Sequence, residues 1–329
     1  MLAARAFLFP GQGAQHLGMA VDVVDAYPEA RAVFAAGSEI LGRDLLRVCR
    51  EGPEEELNST RVSQPAIFLH SLAMLEVLGK QAASPDNRPG ARFGRDLPAV
   101  AAAGLSLGEY SALVFAGSIE FEDALRIVGA RAEYMQEACD QTRGTMASVI
   151  GLAAEKVEEV VEKARADGLR AGIANYNSAE QTVVSGEAEA VDELLKRLEA
   201  AGARRAIRLK VAGAYHSSLM ASATGKLEPF LARVAIREPR VPFYSNVAGR
   251  QVRDPEEIRQ GLIRQVESPV RWSDIIRRLL EAGLPGAIEV GPGRVLQGLL
   301  RSARRDAACV SFGTVKDAEG LRSEEVPAA

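Results

Sequence analysis

Cysteine is scarce in this chain of 329 residues: Cys49, Cys139 and Cys309 stand alone, odd in number, with no C-x-x-C pair. No histidine pair lies near any of them, so a disulfide framework and a structural zinc site are poorly supported and no metal is expected. Isolated thiols suit a reducing compartment, and the expected location is cytoplasmic. A dominant charge is also missing. The net charge of −4 gives no footing for nucleic acid or an anionic lipid surface. No apolar run approaches a membrane span, and the N-terminus lacks a basic segment followed by a secretory hydrophobic core. Neither a membrane nor nucleic acid is therefore an expected partner. Asn58-Ser59-Thr60 matches a glycosylation acceptor and is read as chance in that setting. Heptad arrays, low-complexity tracts and a P-loop are absent, and Gly291-Pro292-Gly293 reads as a turn.

What remains is an ordinary globular composition, 47% hydrophobic and 26% charged, on a chain long enough for about two domains. Strand-like apolar runs alternate with helical patterns from end to end, which argues for an α/β fold. Ala6 to Phe9 reads as a buried strand ending at Pro10-Gly11-Gln12-Gly13, and Ala66 to Gly79 as an apolar core helix. Residues 84–98 read as a surface loop, rich in proline and glycine. The middle of the chain has its own order. Strands over 145–152, 169–174, 181–185 and 203–210 are interleaved with helices over 153–167 and 187–201, with a turn-rich link at Asn175 to Glu180. This is the βαββαβ order of a ferredoxin-like unit. The expected organisation is a large α/β-hydrolase-like subdomain, residues 1–138 and 212–329, with a ferredoxin-like subdomain, 139–211, inserted into it. One continuous sheet domain is the alternative.

Gly104-Leu105-Ser106-Leu107-Gly108 is the most informative stretch. A serine stands between two glycines, after the apolar run Ala99 to Ala103 and before the helix-like Glu109 to Leu113. Strand, sharp turn and helix make a nucleophile elbow, in which a side chain at either glycine would clash. The Leu107 amide then lies at a helix N-terminus, beside the place where an oxyanion would form. A serine needs a base to become a good nucleophile, and histidine is the usual one. His70, inside Ile67 to Leu72, reads as a core residue. His16 follows the glycine-rich turn, and His216 stands at the exit from the inserted unit, where a cleft is expected. Composition alone leaves these two even.

Five blocks, in order, span nearly the whole chain: Phe9-Pro10-Gly11-Gln12-Gly13-Ala14-Gln15, Gln64-Pro65-Ala66, Gly104 to Leu113, Gly213 to Met220 and Glu289 to Gly293. On these the chain resembles the malonyl-CoA:acyl carrier protein transacylases of dissociated fatty acid synthesis. The resemblance implies acyl transfer from malonyl-CoA, the substrate, to the phosphopantetheine thiol of acyl carrier protein, with no permanently bound cofactor. It implies Ser106 as nucleophile and His216 as base, oriented by the backbone carbonyl of Gln265 in place of a carboxylate. It also implies the backbone amides of Gln12 and Leu107 as the oxyanion hole, Gln64 as a residue lining the site, and Arg131 as the grip on the malonyl carboxylate. Read on its own helix, Arg131 would be a solvated arginine; a guanidinium fork does, however, suit a carboxylate. Gln64 is equally readable as an exposed amide. Two departures stand out. Leu105 occupies a position where the family commonly has histidine, and Tyr215 one where related domains carry phenylalanine or serine. A bulky ring there leaves little room for an α-methyl group. Arg204-Arg205, Arg271, Arg277-Arg278, Arg301 and Arg304-Arg305 are candidate contacts for an acidic carrier protein. A serine thioesterase or esterase, and a discrete acyltransferase of polyketide synthesis, are the alternative functions.

Overall fold

The structure, a computed structural model, describes residues 4–82 and 92–325. The loop expected over 84–98 therefore lies outside the described residues up to 91, as does the tail from 326. Before that tail, Val315–Glu325 is helical. Ten strands are described: β1 (Arg5–Phe9), β2 (Ala99–Gly104), β3 (Gly144–Ile150), β4 (Ala171–Ser178), β5 (Gln181–Glu187), β6 (Arg205–Arg208), β7 (Phe243–Ser245), β8 (Arg250–Val252), β9 (Ala287–Val290) and β10 (Cys309–Phe312).

They form a six-stranded sheet ordered β10-β9-β1-β2-β7-β8 and a four-stranded sheet ordered β4-β5-β3-β6. In the larger sheet β1 pairs parallel with both β2 and β9, and only β8 at the edge runs antiparallel. A parallel sheet is covered by helices on both faces, so its strands must be apolar throughout. Ala6, Phe7, Leu8 and Phe9 are all fully buried. Phe7 stacks on Phe115, ring centroids 4.3 Å apart, which ties the helix Gly108–Phe115 to the centre of the sheet. The smaller sheet is antiparallel throughout, with the helices Ala154–Ala166 and Ala188–Ala200 between its strands. Val157, Val161 and Ala164 on one helix, and Val191, Leu194 and Leu198 on the other, are buried in one cluster, as their helical spacing predicts. The α/β class expected from the sequence is thus observed, as a parallel-rich sheet and a separate antiparallel one. The helix Phe121–Gln141 runs past the expected junction at 138.

Two local expectations need correction. The link Asn175 to Glu180 is not a loop: β4 continues to Ser178, and only Ala179 and Glu180 turn. Its polar composition hid a strand with a second partner. The Tyr176 amide donates to Val270 O at 2.9 Å, and the Val270 amide donates to Ala174 O at 2.8 Å. The core helix is also longer than 66–79, running Thr60–Ala82 with Pro65 inside it. Proline there leaves the Arg61 carbonyl without its helical donor, and Arg43 Nη1 donates to it instead at 3.4 Å. Against the reading of no apolar run near membrane length, this helix is long and apolar enough to cross a membrane, and 89% of its apolar window is buried inside the protein.

Candidate active site

β2 delivers the chain to the elbow, and the helix Gly108–Phe115 takes it away. Both flanking glycines are obligatory. A Cβ on Gly104 would stand 2.0 Å from the Gly108 carbonyl, and one on Gly108 would stand 2.1 Å from Phe9 O. The turn places Ser106 at φ 52°, in the left-handed region that a residue with a side chain occupies only when its surroundings enforce it. Asn246 supplies that enforcement. Its Oδ1 accepts from the Ser106 amide at 2.6 Å, and its Nδ2 donates to Gly104 O at 2.7 Å. His216 holds the same unusual backbone conformation, at φ 58°.

Of the three histidines, only His216 reaches the serine, with Ser106 Oγ 2.8 Å from its Nε2. His16 is exposed and lies 3.4 Å from its own-turn carbonyl at Ala14. His70 is buried and donates from Nε2 to Gly313 O at 2.8 Å. Nδ1 of His216 lies 2.9 Å from Gln265 O and 3.2 Å from Ser268 O. Carbonyls only accept, so Nδ1 carries the proton and Nε2 presents its lone pair to Ser106. Burial, and then the positive charge of Arg131, push the imidazole pKa down to about 4. The ring is therefore neutral around pH 7, in the form able to accept a proton.

Arg131 is fully buried, contrary to the reading of its helix alone. Its Nη2 donates to Ser106 Oγ at 3.0 Å and to Gln265 Oε1 at 2.9 Å, and its Nη1 donates to Gln64 Oε1 at 2.5 Å. Nε finds no acceptor among the described residues. The guanidinium also lies 5.7 Å from the ring centroid of Tyr110. Every acceptor it has found is neutral, so no carboxylate neutralises it directly. Gln64 is likewise buried, not an exposed amide.

The backbone amides of Gln12 and Leu107 donate to nothing among the described residues. Gln12 Nε2 lies 3.5 Å from the Tyr215 hydroxyl, which sits 2.5 Å from Thr60 Oγ1. A cavity of about 650 Å³ opens over the elbow, lined by Gln12, Ser106, Tyr215 and His216 together with Lys210 and Arg294. Gln64, Leu107, Arg131 and Gln265 are fully buried residues outside that lining.

Sequence reasoning missed Asn246, Glu109, Ser268 and the side chain of Gln265. Glu109 sat in a quoted block, but a glutamate in the first turn of a helix reads as a favourable dipole partner facing solvent. Here it is buried, accepting from the Asn246 amide at 2.9 Å and from Gln265 Nε2. The block Glu289 to Gly293 proves structural at its first residue. Glu289 accepts from the amides of Leu296 and Gln297, at 3.0 and 2.8 Å, and caps the helix Val295–Ala303. Of the cationic candidates, Arg271 and Arg277 pair with Asp274. Arg301 donates to a carbonyl, Arg304 donates to a carbonyl and pairs with Asp306, while Arg204 and Arg205 have no ion-pair partner among the described residues.

Residues 6–325 match the acyl transferase domain. The chain is 40% identical over 296 residues to the malonyl CoA-acyl carrier protein transacylase of Escherichia coli K12, covering 90% of this chain and 91% of that one. Among solved structures, the malonyl CoA-acyl carrier protein transacylase of Coxiella burnetii superposes with a TM-score of 0.89 at 34% identity, covering 97% of each chain. A malonyl-transacylase solved in complex with a type II PKS acyl-carrier protein superposes with a TM-score of 0.89 at 36% identity, covering 98% of this chain and 100% of that one. The chain belongs to the acyl transferase family, and to the malonyl CoA-acyl carrier protein transacylases within it.

Proposed function

We propose that this enzyme moves a malonyl group from CoA to the phosphopantetheine thiol of acyl carrier protein through an ester on Ser106. The observation that carries the reading is one hydroxyl shared by a neutral imidazole and a buried cation: Ser106 Oγ lies 2.8 Å from His216 Nε2 and 3.0 Å from Arg131 Nη2. His216 takes the proton as Ser106 Oγ bonds to the thioester carbonyl. The amides of Gln12 and Leu107, the latter at a helix N-terminus, receive the oxyanion. The C–S bond breaks, and His216 returns the proton to the leaving CoA thiolate. In the second half-reaction the carrier's thiol gives its proton to His216 and its sulfur attacks the ester; Ser106 leaves with the proton restored. One thioester replaces another, so no energy-coupled cofactor is needed.

Selectivity follows from burial. Arg131 Nε–H has no acceptor among the described residues, and its other bonds go to neutral acceptors, so a malonyl carboxylate brings the charge that none of its direct partners supplies. Acetyl would leave that Nε–H without an acceptor. The Tyr215 ring, pinned by Thr60, forms the wall on the α-carbon side. We read the two sheets as a large subdomain, 1–138 and 212–329, and an inserted one, 139–211, with Ser106 and His216 on the chain segments that flank the insertion.

The test is intact mass after mixing with malonyl-CoA or acetyl-CoA, with a Ser106→Ala control. A malonyl adduct on the parent chain only, discharged faster by a pantetheine thiol than by water, is expected. An adduct that survives Ser106→Ala, or one lost equally fast to water alone, would overturn the transferase reading. The same chemistry serving polyketide assembly is a second reading, favoured by the likeness to a malonyl-transacylase bound to a type II PKS carrier. Presenting the adduct with both classes of carrier separates the two.

A further inference from the structure

Glu109 is the only carboxylate that joins the hydrogen-bond network of Ser106, Arg131 and Gln265 among the described residues. It is buried, and its oxygens accept from three donors: Oε1 from the Asn246 amide at 2.9 Å, Oε2 from Gln265 Nε2, and a further hydrogen bond from the side chain of Ser245. Donors on both oxygens suit the ionised form, since a carboxamide would turn its own NH₂ toward one of them. Two of these partners in turn hold the elbow. Gln265 Nε2 also donates to Ser106 O at 3.0 Å, and Asn246 accepts from the Ser106 amide. On its other end, Gln265 Oε1 accepts from Arg131 Nη2 at 2.9 Å. A negative carboxylate and a positive guanidinium are thus bridged by a single amide group.

We propose that Glu109 is the resident counter-charge of Arg131, held one amide away through Gln265, and that it tempers the hold of Arg131 on an anionic acyl group. This rests on the reading of Arg131 as the malonyl carboxylate's partner. A buried cation with no opposing charge would grip any small carboxylate, and a transfer enzyme must release its acyl group in both directions. Glu109 is a positioning residue in this account, because it acts through Gln265 and Asn246 and touches no reacting atom. The charged and titratable groups facing it are Arg131 from the helix Phe121–Gln141, its neighbour Tyr110, and His216 beyond Gln265. Burial pushes its pKa up to about 7 against the lowering pull of these donors and of Arg131. A second anion beside Arg131 would favour the protonated form further, so the affinity for malonyl should strengthen as pH falls through about 7.

The experiment compares Glu109→Gln and Glu109→Asp with the parent, reading malonyl-CoA and acetyl-CoA affinity separately from turnover. Glu109→Gln should bind malonyl-CoA and free malonate on the order of tenfold more tightly, the size expected of one like-charge pair an amide apart. Acetyl-CoA affinity should not change, and turnover should fall. Glu109→Asp keeps the charge and should lower turnover with no gain in malonate affinity. A purely structural role would weaken both ligands together, and that outcome overturns the proposal. If Glu109→Gln does not fold, the Ser106→Ala protein is titrated with both thioesters from pH 5.5 to 8.5. The ratio of malonyl to acetyl affinity should rise as pH falls, and a flat ratio overturns the proposal. Failure of the malonyl reading itself is seen separately, as the absence of a malonyl ester on the parent chain.

Discussion

Replacing Arg131 with alanine gives a selectivity change whose size can be worked from its contacts. The side chain is fully buried and spends three hydrogen bonds on Gln64, Gln265 and Ser106, all neutral. With malonyl bound, the alanine variant loses two charge-assisted bonds, each about 1.5–3 kcal/mol. The expected loss is therefore about 3–6 kcal/mol in kcat/KM for malonyl-CoA, between roughly a hundredfold and ten-thousandfold. With acetyl bound there is no such loss, because acetyl never made those bonds. The acetyl rate should move by less than about tenfold, set by the looser Ser106 and by the vacated space. The acid limb of the pH profile should also move up, since the charge of Arg131 is one of the causes holding His216 low. Steady-state kinetics with both thioesters, across pH 4 to 8, read all of this in one series. Equal losses for malonyl and acetyl would refute the carboxylate role. An unmoved acid limb would refute the electrostatic link to His216.

In the parent enzyme, the loss of kcat/KM that follows protonation of His216 should come only toward about pH 4. The sign follows from the lowered native pKa: between about 4 and the ordinary 6.5 the unfolded chain binds the proton and the native one does not, so stability also erodes across that window as pH falls. Acid limbs near 6.5 in a pH–rate series would remove the desolvated base from the mechanism. Gly108→Ala should cost at least about 2 kcal/mol of stability or abolish acylation, because the added carbon meets the backbone of Phe9; an unchanged melting temperature with normal acylation would contradict the elbow packing. Tyr215→Ser should admit more methylmalonyl by about 1–3 kcal/mol, read as a competition ratio by mass. Reversing Arg204 and Arg205 to glutamate should raise KM for the carrier protein while leaving malonyl-CoA acylation of Ser106 within about threefold, and a parallel loss in both would remove this pair as a docking contact.

Much of the fold was legible because its signals are local. Apolar runs such as Ala6 to Phe9 are buried on both faces, and the helices of the small sheet show their spacing plainly. The elbow was legible for the same reason: strand, glycine, serine, glycine and helix lie within one continuous stretch, Ala99 to Phe115, and the steric demand on Gly104 and Gly108 is set by that turn. Residue types narrowed the base to His16 or His216. Choosing between them needed either the family resemblance or the 2.8 Å contact. Nothing near Gln265 in sequence announces that its main chain orients His216, because that contact joins segments 49 residues apart.

What stayed hidden was charge placed against its usual habit. Arginine on a helix normally extends its head into water, and glutamate in a first helical turn normally faces solvent. The reading of Arg131 from its helix alone failed because it is buried together with Glu109, 22 residues away, with an amide from a third segment between them. Two opposite charges removed from water at one place cost less than either alone, so the position of one is explicable only through the other. A pattern read along one helix cannot contain that coupling. Gln265 carries it: one side chain, between Arg131 and Glu109, whose own carbonyl orients the base. Replacing Gln265 with glutamate would put a second carboxylate beside Glu109 and a direct counter-ion on Arg131. Transfer of malonyl should then fall by at least a hundredfold through lost access to the guanidinium, and transfer of acetyl by much less. Unchanged transfer of both would place the role of Gln265 in its main-chain carbonyl alone, and equal loss of both would refute the link to Arg131.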